Sequence, residues 1–250
     1  MKYIAWFCLV ITTKMSVAQQ KQTTHLQQAW LGYVNQTRFS DKWGGWLDLH
    51  LRTLDEFTND LSTGIARVGI TYIANEKLKL TAGYAFVNFF PADDHAGVSQ
   101  PEHRPWQQIM WTNAGKRSRV MNAVRIEERY RRKIKNADEL ADGYNFNYRV
   151  RYNTMLTLPL SKNAFAPGTL SFSLNDEVHL NFGKQIVYNY FDQNRLLIGF
   201  AYHVNSSDYL QFGYMNLFQQ LSAGNKYRMI HAARVYFYHN IDLRKNRNSN

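Results

Sequence analysis

The chain has a single cysteine, Cys8, and it lies within an apolar run near the N-terminus. Cleavage beyond that run leaves no thiol, which rules out a disulfide framework and any cysteine-ligated metal site. No stretch approaches the roughly eighteen consecutive apolar residues of a membrane-crossing helix. No Gly-x-Ser-x-Gly segment marks a nucleophile elbow. No glycine loop is placed to cradle phosphate, since Gly44-Gly45 falls inside a strand-like segment, where it marks a bend or close packing. His50, His179, His203, His231 and His239 are scattered singly, without the close paired spacing of a metal site, so no metal and no cofactor is expected.

Met1–Ala18 has the three parts of a secretory signal peptide. Lys2 supplies the positive end, Ile4 to Ile11 is unbroken apolar sequence, and Ser16-Val17-Ala18 offers small residues before a cut. A buried N-terminal helix is the alternative. A lipoprotein would need its cysteine at the cleavage point, and none is there. The formal charge is +11; losing Lys2 and Lys14 leaves 11 − 2 = +9. Such a balance ordinarily suggests nucleic acid. An exported chain meets none, so the expected partners are outer-membrane lipids or lipopolysaccharide, with the barrel-assembly machinery engaged during insertion.

Residues 144–158 alternate for their whole length. Tyr144, Phe146, Tyr148, Val150, Tyr152, Leu156 and Leu158 fall on one side of an extended strand, and Asn145, Asn147, Arg149, Arg151 and Asn153 on the other. A strand tilted across lipid needs roughly ten residues of this pattern, with aromatic residues at the headgroup level. Other segments agree: Leu47, Leu49 and Leu51 oppose Asp48, His50 and Arg52. Ile198, Phe200, Tyr202 and Val204 oppose Arg195, Gly199 and His203. A mean hydropathy of −0.47 with 15% aromatic residues suits strands that are half polar.

Strand-like segments cover 28–39, 43–53, 62–74, 77–90, 105–115, 118–132, 142–159, 168–182, 194–204, 208–220 and 227–243. Connections alternate between short turns at 40–42, 75–77, 115–117 and 205–208 and longer loops at 54–61, 91–104, 133–141 and 183–193. The 91–104 loop, with Pro91, Asp93, Asp94, His95, Gly97 and Pro101, and Pro105 at its end, is the best candidate for surface exposure. The fold expected is all-β, an antiparallel transmembrane up-and-down β-barrel over 19–243, with a basic tail at 244–250 that frays in the periplasm. Eleven segments are legible, but single-chain bacterial barrels have an even number. Twelve strands are therefore expected, with 19–27 the missed piece and ten strands the runner-up. A soluble two-sheet sandwich is the alternative fold.

Trp30 with Gly32, Lys42-Trp43, the Arg125–Arg129 segment, Glu177, Phe191-Asp192-Gln193-Asn194-Arg195 with Gly199 and Tyr202, and Gly213-Tyr214-Met215 form a pattern across most of the mature chain. It resembles the bacterial, Bacteroidetes-type family called domain of unknown function 2490. The resemblance implies an outer-membrane β-barrel. It implies no activity, so no catalytic residue follows from it.

The charges expected to face the lumen are Arg125, Glu127, Arg129, Arg149, Arg151, Glu177 and His179. On neighbouring strands they form a ladder of arginine–carboxylate pairs that braces a narrow lumen. The alternative role is an anion-attracting channel or ligand site. Ser171 and Ser173 share a face with Glu177 and His179, which leaves a lipid-modifying hydrolase of lipase or deacylase type as the competing function. That face points into the lumen, away from lipid. The expectation is a barrel of structural or small-pore type that is not an enzyme.

Overall fold

In the computed structural model, which describes residues 20–91 and 97–244, the chain closes on itself as one barrel. Its strands are β1 (Gln22–Arg38), β2 (Trp43–Asp55), β3 (Asn59–Asn75), β4 (Leu78–Phe89), β5 (Gln100–Ala114), β6 (Arg119–Ile134), β7 (Leu140–Pro159), β8 (Leu170–Phe182), β9 (Phe191–His203), β10 (Asp208–Gln220) and β11 (Lys226–Asp242). The expected signal segment Met1–Ala18, Asp93, Asp94 and His95, and residues 245–250 lie outside the described residues.

Each strand pairs antiparallel with its sequence neighbours, and β1 closes the barrel by pairing parallel with β11, from Gln22 beside Lys226 to Arg38 beside Asp242. The expectation of twelve antiparallel strands is thus corrected to eleven with one parallel seam. An up-and-down chain with an odd strand count starts and ends at opposite rims, so its first and last strands run in the same direction. The piece at 19–27 is no separate strand: 22–27 are the first residues of β1. They pair with β11 alone, because β2 reaches β1 only from Trp30 onward.

The odd count also separates the termini. Gln22 enters at one rim (the N-terminal rim), which holds residues 90–91 and 97–99 and connections 56–58, 135–139, 183–190 and 221–225. Asp242 leaves at the other (the C-terminal rim), with 39–42, 76–77, 115–118, 160–169 and 204–207. The expected alternation of short and long connections holds only in part. The 54–61 loop is instead a tight reversal at 56–58, where Glu56 and Phe57 both take left-handed backbone, φ 49° and 59°. No glycine marks that turn, so the sequence carries no signal for it. Loop 91–104 gives its last part to β5, which begins at Gln100 and contains Pro101 and Pro105. Proline inside a strand argues against strand on local grounds, and here pairing with β4 overrides it. The tail begins ordered, since Arg244 pairs with Asp242 at 2.5 Å and Asp41 at 3.2 Å.

The barrel wall sorts side chains by alternation. Leu31, Val68, Ile70, Ile109, Ile126 and Ile198 project outward and are exposed. Aromatic residues flank this apolar belt: Phe39, Trp43 and Tyr72 near the C-terminal rim, and Phe57, Tyr130, Tyr144 and Phe182 near the other. The inside is divided. On the side of β1 and β9–β11 it is apolar, with Trp30, Val34, Leu197, Met215, Leu217 and Ile230 packed together. Toward β3–β8 it is charged. Trp106 joins the two regions, its ring lying across Gly83 and Gly69, where an added Cβ would approach it to 2.8 and 3.1 Å. Trp46 meets that ring edge-on at 6.1 Å between centroids.

Candidate functional site

The lumen of β2–β9 holds two different assemblies. In the half toward the N-terminal rim, Glu102 is fully buried and gathers three arginines from two strands. Arg129 donates to it through Nε at 2.7 Å and Nη2 at 3.1 Å, Arg131 lies at 3.0 Å, and Arg104 pairs with it from the same strand. One layer further in, Glu127 Oε2 accepts from Arg149 Nε at 2.9 Å and Nη2 at 2.5 Å, and its Oε1 from Arg151 Nη1 at 2.8 Å. Asp192 caps the other side of Arg149 at 3.1 Å. Arg151 then turns to Glu177, which also lies 3.3 Å from Arg195 Nη1 and 2.9 Å from His179 Nε2. The pairing follows from register: Glu127 sits opposite Arg149, Arg125 opposite Arg151, and Glu177 opposite Arg195.

All seven candidate residues therefore point into the lumen. Glu127, Arg149, Arg151, Glu177 and His179 meet in one chain of contacts. Arg129 does not join it; it serves Glu102. Arg125 lies 4.0 Å from Glu127 and donates instead to Gln108 at 2.9 Å, with its guanidinium 4.3 Å from the Trp106 ring centre. The sequence reading left Glu102, Arg104 and Asp192 out of the network. Glu102 and Arg104 fell in the supposed 91–104 loop, although Glu102, Arg104, Trp106 and Gln108 do alternate. A second cluster was also unassigned: Asp48 accepts from Arg67 Nη1 at 2.8 and 2.9 Å and from Trp46 Nε1 at 2.7 Å, with His50 Nε2 at 3.0 Å.

Toward the C-terminal rim the lumen opens into a cavity of about 380 Å³. Its mouth is formed by Lys79, Arg119, Tyr209 and Asn240, each within a few residues of a strand end at that rim. Arg52, Arg67, Arg125, Arg151 and Arg195 also line it, further from that rim. Glu102, Arg104, Arg129, Arg131 and Asp192 do not line it; they fill the lumen beneath.

Ser171, Ser173 and His179 are completely buried and face inward. Ser171 Oγ lies 2.9 Å from His203 Nε2, and Ser173 accepts from Gln211 at 2.7 Å. His179 spends its ring nitrogens on Glu177 and Gln193. Among the described residues no hydrogen-bonded serine–histidine pair lies on the outer wall.

No curated protein matches the chain. A solved structure described as a NanC porin in a rhombohedral crystal form has a similar course, with 12% sequence identity, a TM-score of 0.45, and coverage of 76% of this chain and 87% of that one. The family described as Protein of unknown function (DUF2490) matches residues 27–228, most of the barrel, and the chain belongs to that family.

Proposed function

We propose that the protein is an outer-membrane β-barrel of bacterial origin, exported by its N-terminal signal peptide. It is of the structural or small-pore type and is not an enzyme. One observation carries the reading: a closed barrel that puts a belt of large aliphatic side chains outward and a network of arginines and carboxylates inward. In water that outer surface would be an apolar patch far larger than a soluble monomer presents. In a bilayer it is the required belt, and closure leaves no unpaired strand edge in lipid. The charged half of the lumen acts as a brace, and conduction through the barrel requires the contacts around Glu102 to part. Outer-membrane lipids or lipopolysaccharide are the surrounding partners. The hydrolase alternative has no support in the placement of Ser171, Ser173 and His179.

The test is expression of the full chain with its own leader. The mature protein should fractionate with outer membranes, migrate differently on gels before and after boiling, and give little conductance in a planar bilayer. Recovery as a detergent-independent soluble monomer overturns the reading.

A further inference from the structure

The charge inside the barrel is not evenly compensated. Beneath the cavity, Glu102, Glu127 and Asp192 face Arg104, Arg129, Arg131 and Arg149, which is close to balance. Around the cavity, eight lysine and arginine side chains share the lining with two carboxylates, Asp48 and Glu177, and only Arg151 and Arg125 reach a third, Glu127 beneath it, at 2.8 and 4.0 Å. The uncompensated positive charge is therefore concentrated around this cavity. Low-dielectric walls magnify its attraction for anions.

Three of the arginines there are held flat against aromatic rings, and of these only Arg195 also pairs with a carboxylate, Glu177. Arg52 lies with its guanidinium carbon 3.6 Å from the Trp30 ring centre, and Arg195 shares that ring at 5.1 Å. Arg234 lies 3.9 Å from the Tyr236 ring centre. Among the described residues no carboxylate lies within ion-pairing distance of Arg52. Arg67 and Arg125 are 7% and 6% exposed, and Arg67 Nε and Arg125 Nη1 have no hydrogen-bond partner. Buried guanidinium donors without acceptors are costly unless something supplies the acceptors. Stacking fixes each planar fork in advance, so less freedom is lost when an oxyanion engages it.

From this geometry we propose that the cavity is a binding site for a small solute carrying two or more oxyanion groups, carboxylate or phosphate, entering from the C-terminal rim. The inference rests on the barrel reading above and adds a ligand class to it. The volume suits a small molecule. Several separate forks favour a multiply charged solute over a single halide ion. Val34, Met110 and Leu197, also on the cavity wall, provide apolar surface for its carbon skeleton.

The test is calorimetric titration of the full mature chain in detergent with citrate in one arm and inorganic pyrophosphate in the other. Chloride and glycerol serve as controls. Saturable one-to-one binding in either arm, persisting at chloride concentrations that screen surface charge, is expected, and the stronger arm identifies the oxyanion. Arg52→Gln should weaken it by at least about tenfold, the loss of one charge-assisted contact. Arg52→Lys should retain part of it, and Lys135→Gln, on an exposed connection, should leave it unchanged. If Arg52→Gln yields no heat-modifiable barrel, Arg234→Gln carries the same expectation. A heat-modifiable outer-membrane barrel that shows no saturable heat, or that binds equally well without Arg52 or Arg234, overturns the site while leaving the barrel reading intact. A soluble product overturns the barrel reading itself.

Discussion

Glu127 takes two hydrogen bonds on a single carboxylate oxygen from Arg149, at 2.9 and 2.5 Å, and the two residues sit directly opposite one another on β6 and β7. The pair is almost completely buried, so removing one partner strands a charge. Glu127→Gln should cost about 3–5 kcal/mol, the usual penalty for breaking a buried pair from one side. Glu139→Gln, which breaks the exposed Lys135–Glu139 pair, should cost under about 1 kcal/mol. Urea unfolding in detergent measures both, and similar small losses would mean that Glu127 does not brace the lumen.

Glu102 engages Arg104, Arg129 and Arg131 together in the N-terminal half of the lumen, where the proposed reading places the barrier to conduction. Glu102→Ala removes the common acceptor and leaves three like charges facing each other. The expected result is a new anion-selective conductance in a planar bilayer, absent from the parent protein. A silent variant that is still folded would place the barrier elsewhere.

Facing can be read by arginine substitution. Ile126 lies outward near mid-barrel, whereas Asn147 faces the lumen near its end. Ile126→Arg should cost about 2–4 kcal/mol in a bilayer, and Asn147→Arg far less. Equal penalties would show that inside and outside are misassigned.

Asp176 breaks the outer pattern. It sits midway along β8 on the lipid-facing side, between Thr154 and Leu196 in register, and its carboxylate is held by Asn194 at 2.7 Å. A carboxylate there disfavours the inserted state, though less than arginine would. Asp176→Leu should raise stability in lipid vesicles by roughly 1–2 kcal/mol. A drop instead would show that the Asp176–Asn194 contact outweighs the cost of placing the carboxylate against lipid.

The parallel seam has a covalent test. Ala29 of β1 pairs with Ala233 of β11, and adjacent strands put paired backbones about 4.8 Å apart, within reach of a disulfide. Ala29→Cys with Ala233→Cys should crosslink on oxidation and block the gel shift on boiling. Cys8, the one native cysteine, lies in the expected leader and does not compete. A twelve-strand antiparallel closure would keep these two positions apart and leave them reduced.

The sequence alone determined the strands and their facing, because side-chain alternation is a local property written in every segment. Eleven segments were legible, and Arg125, Glu127, Arg129, Arg149, Arg151, Glu177 and His179 were all assigned to the inside. The twelfth strand came from a general rule about even counts rather than from any residue in the chain. The turn at 56–58 and the prolines in β5 misled local reading, since backbone handedness and pairing with β4 are not visible in residue type. What only the tertiary structure decided is lateral. Which carboxylate meets which arginine depends on the register between strands and on how a tilted sheet closes. That register sent Arg129 to Glu102, left Arg52 with a tryptophan in place of a carboxylate, and joined β1 to β11 in parallel. The same closure fills one half of the lumen and leaves the other open, because long side chains from opposite walls meet only where the register brings them to the same height.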